Sequence, residues 1–194
     1  MTATPDLNRE TIVDFLGGIF ERNAAEEYLG EPVTIAEHML QGAQLADEAG
    51  AADEVVAAAL LHDIGHFVHE FEADAADHGI DTKHEEAGAE VIERFFPSIV
   101  VDCVRYHVDA KRYLCATNPK YFDRLSEASI HSLNLQGGPM SKPEVDAFGA
   151  NPNLKDILRV RVWDEEGKIA GKDVPGFRYY APLLQRVVDQ HLGA

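Results

Sequence analysis

The chain has 194 residues and carries 17 lysines and arginines against 34 aspartates and glutamates, a formal charge of −17. Its 45% hydrophobic content excludes a disordered chain, because that much apolar side chain can offset the entropy of ordering. The charge excludes nucleic acid and anionic membrane as partners, since both call for a basic surface.

Taken in chain order, residues 9–23 set Ile12, Phe15, Leu16, Ile19 and Phe20 at spacings of three and four, the pattern of an amphipathic helix. Thr34 and Glu37 form a capping box that opens a second helix, and Gly50 is a natural stop for it. A third helix starts near Ala52, carries VVAAALL and runs into HDIGH. An irregular acidic stretch follows over residues 71–81, then a fourth helix over 83–95 and a fifth from Pro97-Ser98 through Val108. Further helices are expected near 126–135 and 153–162, with a short one opened by Ser141 and Glu144 and ending near Gly149. The loop GKIAGKDVPG precedes a last amphipathic helix over 179–192. Alternating β patterns are nearly absent, so the fold class is all-α. We expect a single domain over 1–194 with its core over about 28–180.

Cys103 and Cys115 are too few for a disulfide scaffold and are expected to be reduced. No apolar run approaches the roughly 20 residues of a membrane helix, and MTATPDLNRETIVDF has no signal-peptide pattern. The expected location is cytoplasmic.

Nine histidines is many for this length, and their placement matters more than their number. His38, His62-Asp63, His84 and His107 recur at intervals of 24, 22 and 23 residues, each on or at the end of its own predicted helix, and Asp164 sits near the end of another. Packed helices can aim such side chains at one point, as helical-bundle metal sites do. Imidazole and carboxylate suit iron, manganese or zinc, and the lack of cysteine disfavours a structural zinc site. An aspartate has two oxygens and can bridge two ions. A lone histidine or HD dipeptide is ordinarily a hydrogen-bonded core or surface group; the ordered set is what carries weight.

The set resembles the ligands of dinuclear HD-domain proteins. HDIGH, HVDAKRYL (107–114), YFDRLSEAS (121–129), LQGGPM (135–140) and RVWDEEGK (161–168) are similar to the phosphonate-cleaving HD-domain di-iron oxygenases. The resemblance implies an HD-domain helical bundle with a dinuclear site in its core. One iron would be held by His38, His62, Asp63 and Asp164, the other by His84, His107 and the second oxygen of Asp63. The pair would be mixed-valent Fe(II)/Fe(III), with O2 as co-substrate. The substrate would be a small 1-hydroxyphosphonate, 2-amino-1-hydroxyethylphosphonate or its N-trimethyl relative, cleaved at its C–P bond to glycine or glycine betaine and inorganic phosphate.

The same resemblance implies roles for further residues. Lys111, Ser129 and Arg161 would bind the phosphonate, with His66 donating beside them. Tyr28 and Glu31 would form a lid that covers iron until substrate displaces it. Arg112 reads as surface. His69 and His78, in an acidic loop that departs from the family pattern, read as non-ligands. Phe67, Glu70, Phe71 and Tyr28 are candidates to receive a cationic ammonium head, since aromatic faces and carboxylates both attract cations. The charge of −17 then suits a zwitterionic substrate, because exposed acids are screened within about 8–10 Å while the site cations act at contact. The substrate's hydroxyl points to an upstream hydroxylase.

The alternative is an HD-domain metal-dependent phosphohydrolase acting on a nucleotide or phosphate monoester, for which Lys111 and Arg161 would serve equally. Tyr28, Glu31, the second histidine pair and QGGPM favour the oxygenase. A non-catalytic HD regulator is a third class, disfavoured because the full ligand set is present.

Overall fold

The computed structural model describes residues 7–28, 30–68 and 83–193. Its helices are α1 (Ile12–Arg22), α2 (Ile35–Glu48), α3 (Asp53–Leu61), a 3-10 turn (Ile64–Phe67), α4 (His84–Ile92), α5 (Ser98–Thr117), α6 (Pro119–Phe122), α7 (Glu127–Leu135), α8 (Lys142–Phe148), α9 (Leu154–Glu166) and α10 (Phe177–Leu192). Among the described residues the one β feature is an antiparallel bridge between Glu27 and Thr34. The fold is all-helical, as expected.

Helix α3 lies at the centre. Every residue from Val55 to Leu61 is buried, which an apolar helix without a polar face requires. Its three consecutive alanines let α2, α5 and α10 approach closely, and α9 and α4 complete the wall by packing on α5. Helix α1 turns Ile12, Leu16, Ile19 and Phe20 inward and rests on α10. The Thr34–Glu37 capping box forms as expected, with the Glu37 N–H donating to the threonine hydroxyl at 3.1 Å and the Thr34 N–H to the glutamate at 2.9 Å.

Two boundaries differ from expectation in ways that matter. Helix α5 runs to Thr117 rather than ending near Val108, because Ala110 and Lys111 stay buried on its inner face. Helix α9 runs to Glu166, so Arg161, Asp164 and Glu165 share one continuous helix. Arg112 is a correction too. Its side chain is 16% exposed and clamps the 135–140 loop, bonding Gly138 O at 3.0 Å and Glu144 at 2.7 Å. Both cysteines are free.

Candidate metal centre

All six residues expected as metal ligands converge. His38 projects from α2, His62 caps α3, Asp63 follows it, His84 opens α4, His107 sits mid-α5 and Asp164 lies near the end of α9; all are buried. They form two triads, His38–His62–Asp63 and Asp63–His84–His107, each with donor atoms within 4.8 Å of one another. Asp63 belongs to both. Its Oδ2 lies 3.5 Å from His38 Nε2 and 3.6 Å from His62 Nε2, while Oδ1 lies 3.4 Å from His84 Nε2 and 3.2 Å from His107 Nε2. Asp164 Oδ1 joins the first group, 3.3 Å from His38 Nε2.

The donor set fits cations on the chemistry of its own atoms. His38 Nδ1 donates to Gly167 O at 3.0 Å, His62 Nδ1 to Ala59 O at 2.8 Å and His107 Nδ1 to Val104 O at 2.8 Å. A carbonyl only accepts, so these three rings carry their proton on Nδ1 and, when neutral, present a lone pair at Nε2. Yet His38 and His62 face each other Nε2 to Nε2 at 3.0 Å, and His84 and His107 do the same. Both Asp63 oxygens and Asp164 Oδ1 are buried and accept no hydrogen bond among the described residues. Lone pairs and carboxylates aimed at one another in a dry core cost several kcal/mol unless a cation lies between them.

The electrostatics agree. Burial, the largest influence, pushes the His62 pKa down to about 4, so the ring is in its neutral, ligating form at neutral pH. Burial alone would raise the Asp63 and Asp164 carboxyls, but the neighbouring imidazoles hold Asp63 well below the usual range and Arg161 does so for Asp164. Burial would lower His107, yet Asp63 raises it. A proton there is what an entering metal would displace.

Around the centre, Lys111 and Arg161 are buried cations. Lys111 donates to Ser132 Oγ at 2.8 Å, and Arg161 bonds Tyr121 OH at 2.6 Å and contacts Asp164 and Glu165. His66 stacks on His84 with ring centres 4.0 Å apart. The Tyr28 ring lies 4.8 Å from the His38 ring, and burial, then Asp63 and Asp164, holds its phenol well above its usual pKa. A cation among those carboxylates would act in the opposite direction. A cleft of about 370 Å³ runs along the 26–35 turn, with Tyr28 and Glu31 in its wall.

Glu31 and Ser129 belong to one buried hydrogen-bonded cluster. Ser126 Oγ donates to Glu31 at 2.6 Å and Lys168 Nζ to Glu31 at 2.8 Å, while Ser129 Oγ donates to Glu165 at 2.9 Å. Residue type alone marks none of Ser126, Glu165 and Lys168 as functional. The available signal is their spacing: Lys168 lies four residues beyond Asp164 and three beyond Glu165, within a motif already singled out. Of the four candidates for an ammonium head, Tyr28 and Phe67 are described, Phe67 packing edge-on to Phe20 at 6.0 Å. Glu70, Phe71, His69 and His78 lie outside the described residues.

Residues 35–146 match the HD domain, a stretch holding five of the six converging residues and leaving out Asp164. The chain is 62% identical over 188 residues to the [1-hydroxy-2-(trimethylamino)ethyl]phosphonate dioxygenase (glycine-betaine-forming) of Leisingera caerulea, covering 97% of this chain and 96% of that one. The chain belongs to the HD-domain phosphonate dioxygenases. The family extends to the hydroxymethylphosphonate dioxygenase of Gimesia maris, 42% identical over 80% of this chain and 78% of the relative. An uncharacterised protein of Acanthamoeba polyphaga mimivirus is 34% identical over 91% of this chain and 80% of its own length. Membership makes the chain an O2-using oxidoreductase rather than a phosphohydrolase. No helix among the described residues is long and apolar enough to cross a membrane.

Proposed function

We propose that this chain cleaves the C–P bond of 1-hydroxy-2-(trimethylammonio)ethylphosphonate with O2, giving glycine betaine and inorganic phosphate. The observation that carries the reading is near-full-length identity of 62% to a relative of that activity, joined to two buried His/Asp triads that share one carboxylate. The reaction balances with O2 as oxidant: C1 loses its hydrogen and the phosphorus bond and becomes a carboxylate, and phosphorus leaves as phosphate.

His38, His62, Asp63 and Asp164 would hold one iron, and His84, His107 and Asp63 the other. A mixed-valent Fe(II)/Fe(III) pair, when bound, supplies O2 activation and a Lewis-acidic seat for the substrate's oxygens. The chain's own groups then do the rest. Lys111 and Arg161 offer charge-assisted donors to the phosphonate in a water-poor pocket, Ser129 a hydroxyl and His66 a ring N–H. Tyr28 and Phe67 offer aromatic faces toward the substrate's methylated ammonium end, where a quaternary cation gains most. The substrate is zwitterionic, and its 1-hydroxyl calls for a hydroxylase acting earlier on the parent phosphonate.

The test is to supply iron-loaded protein with the trimethylammonio substrate, its primary-amine analogue and hydroxymethylphosphonate, recording O2 uptake and phosphate release together. The expected result is one phosphate per O2, fastest with the trimethylammonio compound. Phosphate released without O2 uptake would indicate hydrolysis instead.

Lys111 makes the reading pH-sensitive. Burial first, then the charge of Arg161, pushes its pKa down to about 7 from 10.5. Below pH 7 it is charged and meets the phosphonate directly; above, binding must take up a proton. Cations among Asp63 and Asp164 lower this pKa further. The ratio of wild-type to Lys111→Met kcat/KM in the iron-loaded protein is therefore expected to fall about tenfold per pH unit above a break at or below 7 and to level off under that break. Taking the ratio cancels the phosphonate's own ionisation. For stability the sign is also set: the unfolded lysine binds more protons between pH 7 and 10.5, so this group's contribution in the ligand-free protein rises with pH across that window.

A further inference from the structure

We infer that Lys168 is a positioning residue for this reaction: it latches the 26–35 turn, with Tyr28 and Glu31, over the metal centre. The backbone on both sides of Lys168 is pinned to α2. Gly167 O accepts from His38 Nδ1, and Gln41 grips Ile169 twice, accepting its N–H at 3.0 Å and donating to its carbonyl at 2.9 Å. A Cβ on Gly167 would come within 3.2 Å of both His38 O and Gly42 N, so at this point the strap lies directly against the backbone of α2. Lys168 is thus a fixed post rather than a wandering surface lysine.

From that post the ammonium reaches the turn. Nζ donates to Glu31 Oε1 at 2.8 Å and to Ser129 Oγ at 2.9 Å, and sits 5.8 Å from the Tyr28 ring centre. The pair is nearly sealed from water, the Lys168 side chain 9% exposed and Glu31 5%. A second tether is Ser126 Oγ, which donates to the same Glu31 oxygen at 2.6 Å. Among the described residues the turn's backbone bonds run from Tyr28 N to Val33 O, Glu31 N to Tyr28 O and Ile35 N to Glu26 O, and Gly30 adopts φ +77 where it meets Ala128. Breaking one partner of a buried ion pair leaves the other charge stranded. Loss of Lys168 should therefore raise the opening constant of this turn by about a hundredfold.

The latch also touches the anion pocket, a part that rests on the proposed placing of the phosphonate beside Ser129. Lys168 divides its donors between Glu31 on the turn and Ser129 in the pocket. A phosphonate at Ser129 would therefore meet the same ammonium that holds Glu31.

Amide hydrogen exchange on the iron-loaded protein tests the latch without turnover, so its outcome is separate from whether the chain cleaves phosphonates. In K168M and in E31Q the amides of Tyr28, Glu31 and Ile35 are expected to exchange about a hundredfold faster, while α3 and α5 keep their rates. K168R should stay within a few-fold of wild type, and the E31Q/K168M double variant should be no faster than either single one. Wild-type exchange of the turn in E31Q overturns the inference even if K168M does not fold. Multiplying effects in the double variant overturn it as well, since two members of one contact cannot be lost twice.

Discussion

Replacing Asp63 with Asn is expected to take the protein from two bound metal ions to one or none and to lower phosphate release about a thousandfold. The reason is the division of one carboxylate between two triads, with Oδ2 toward His38 and His62 and Oδ1 toward His84 and His107. An asparagine keeps the shape but has one acceptor oxygen. Its NH2 group, turned to either triad, meets two imidazole lone pairs as a donor and occupies the place of the cation. A thousandfold loss corresponds to about 4 kcal/mol, within what a Lewis-acidic centre supplies to a charged transition state. Metal content by elemental analysis, O2 uptake, phosphate release and far-UV circular dichroism check this together. Two metals per chain with phosphate release intact would show that Asp63 does not bridge.

Gly65→Ala is the second large effect, and it should act on one triad alone. The 3-10 turn after HD lies so close to the start of α4 that a Cβ on Gly65 would sit 1.8 Å from His84 O and 2.8 Å from Gly88 N. Backbone is what it meets, so rotamer changes cannot relieve the clash. Helix α4 must retreat by more than an ångström, and His84 is its first residue. Metal–imidazole bonds tolerate only about 0.2 Å. The expected variant binds one metal ion, on the His38–His62 side, and is less stable by roughly 1–3 kcal/mol from overpacking. Metal titration followed by thermal unfolding with and without iron separates these effects. Wild-type affinity for a second ion would contradict the account.

Much of this was legible in the chain itself. The α2 capping box, the apolar α3 and the HD pair at its end are local signals, each readable within a dozen residues. The ligands were legible because histidine near the end of an apolar helix is costly without a partner. The resemblance in AKRYL and QGGPM supplied the chemistry that spacing leaves open between iron, manganese and zinc. What stayed hidden depends on distant backbone. The clamp of Arg112 on Gly138 O joins atoms 26 residues apart, and a main-chain carbonyl has no letter in the sequence. The persistence of α5 past Val108 follows from the burial of Ala110 and Lys111 on its inner face, not from its own mixed polar pattern. Lys168 reads as an ordinary solvated lysine until α2 is seen to hold its two neighbours.

The three imidazole protons donated to main-chain carbonyls have a consequence for how this centre tolerates change. Ala59 and Val104 lie one turn upstream of His62 and His107 on the same helices, and Gly167 O serves His38 from the strap beyond α9. Many metal-binding histidines are oriented by a carboxylate, which a single base change can remove. Here the acceptors are peptide oxygens that every amino acid possesses. Genetic drift in the surrounding side chains can reshape the pocket for a different phosphonate while the basicity and aim of these ligands are inherited unchanged.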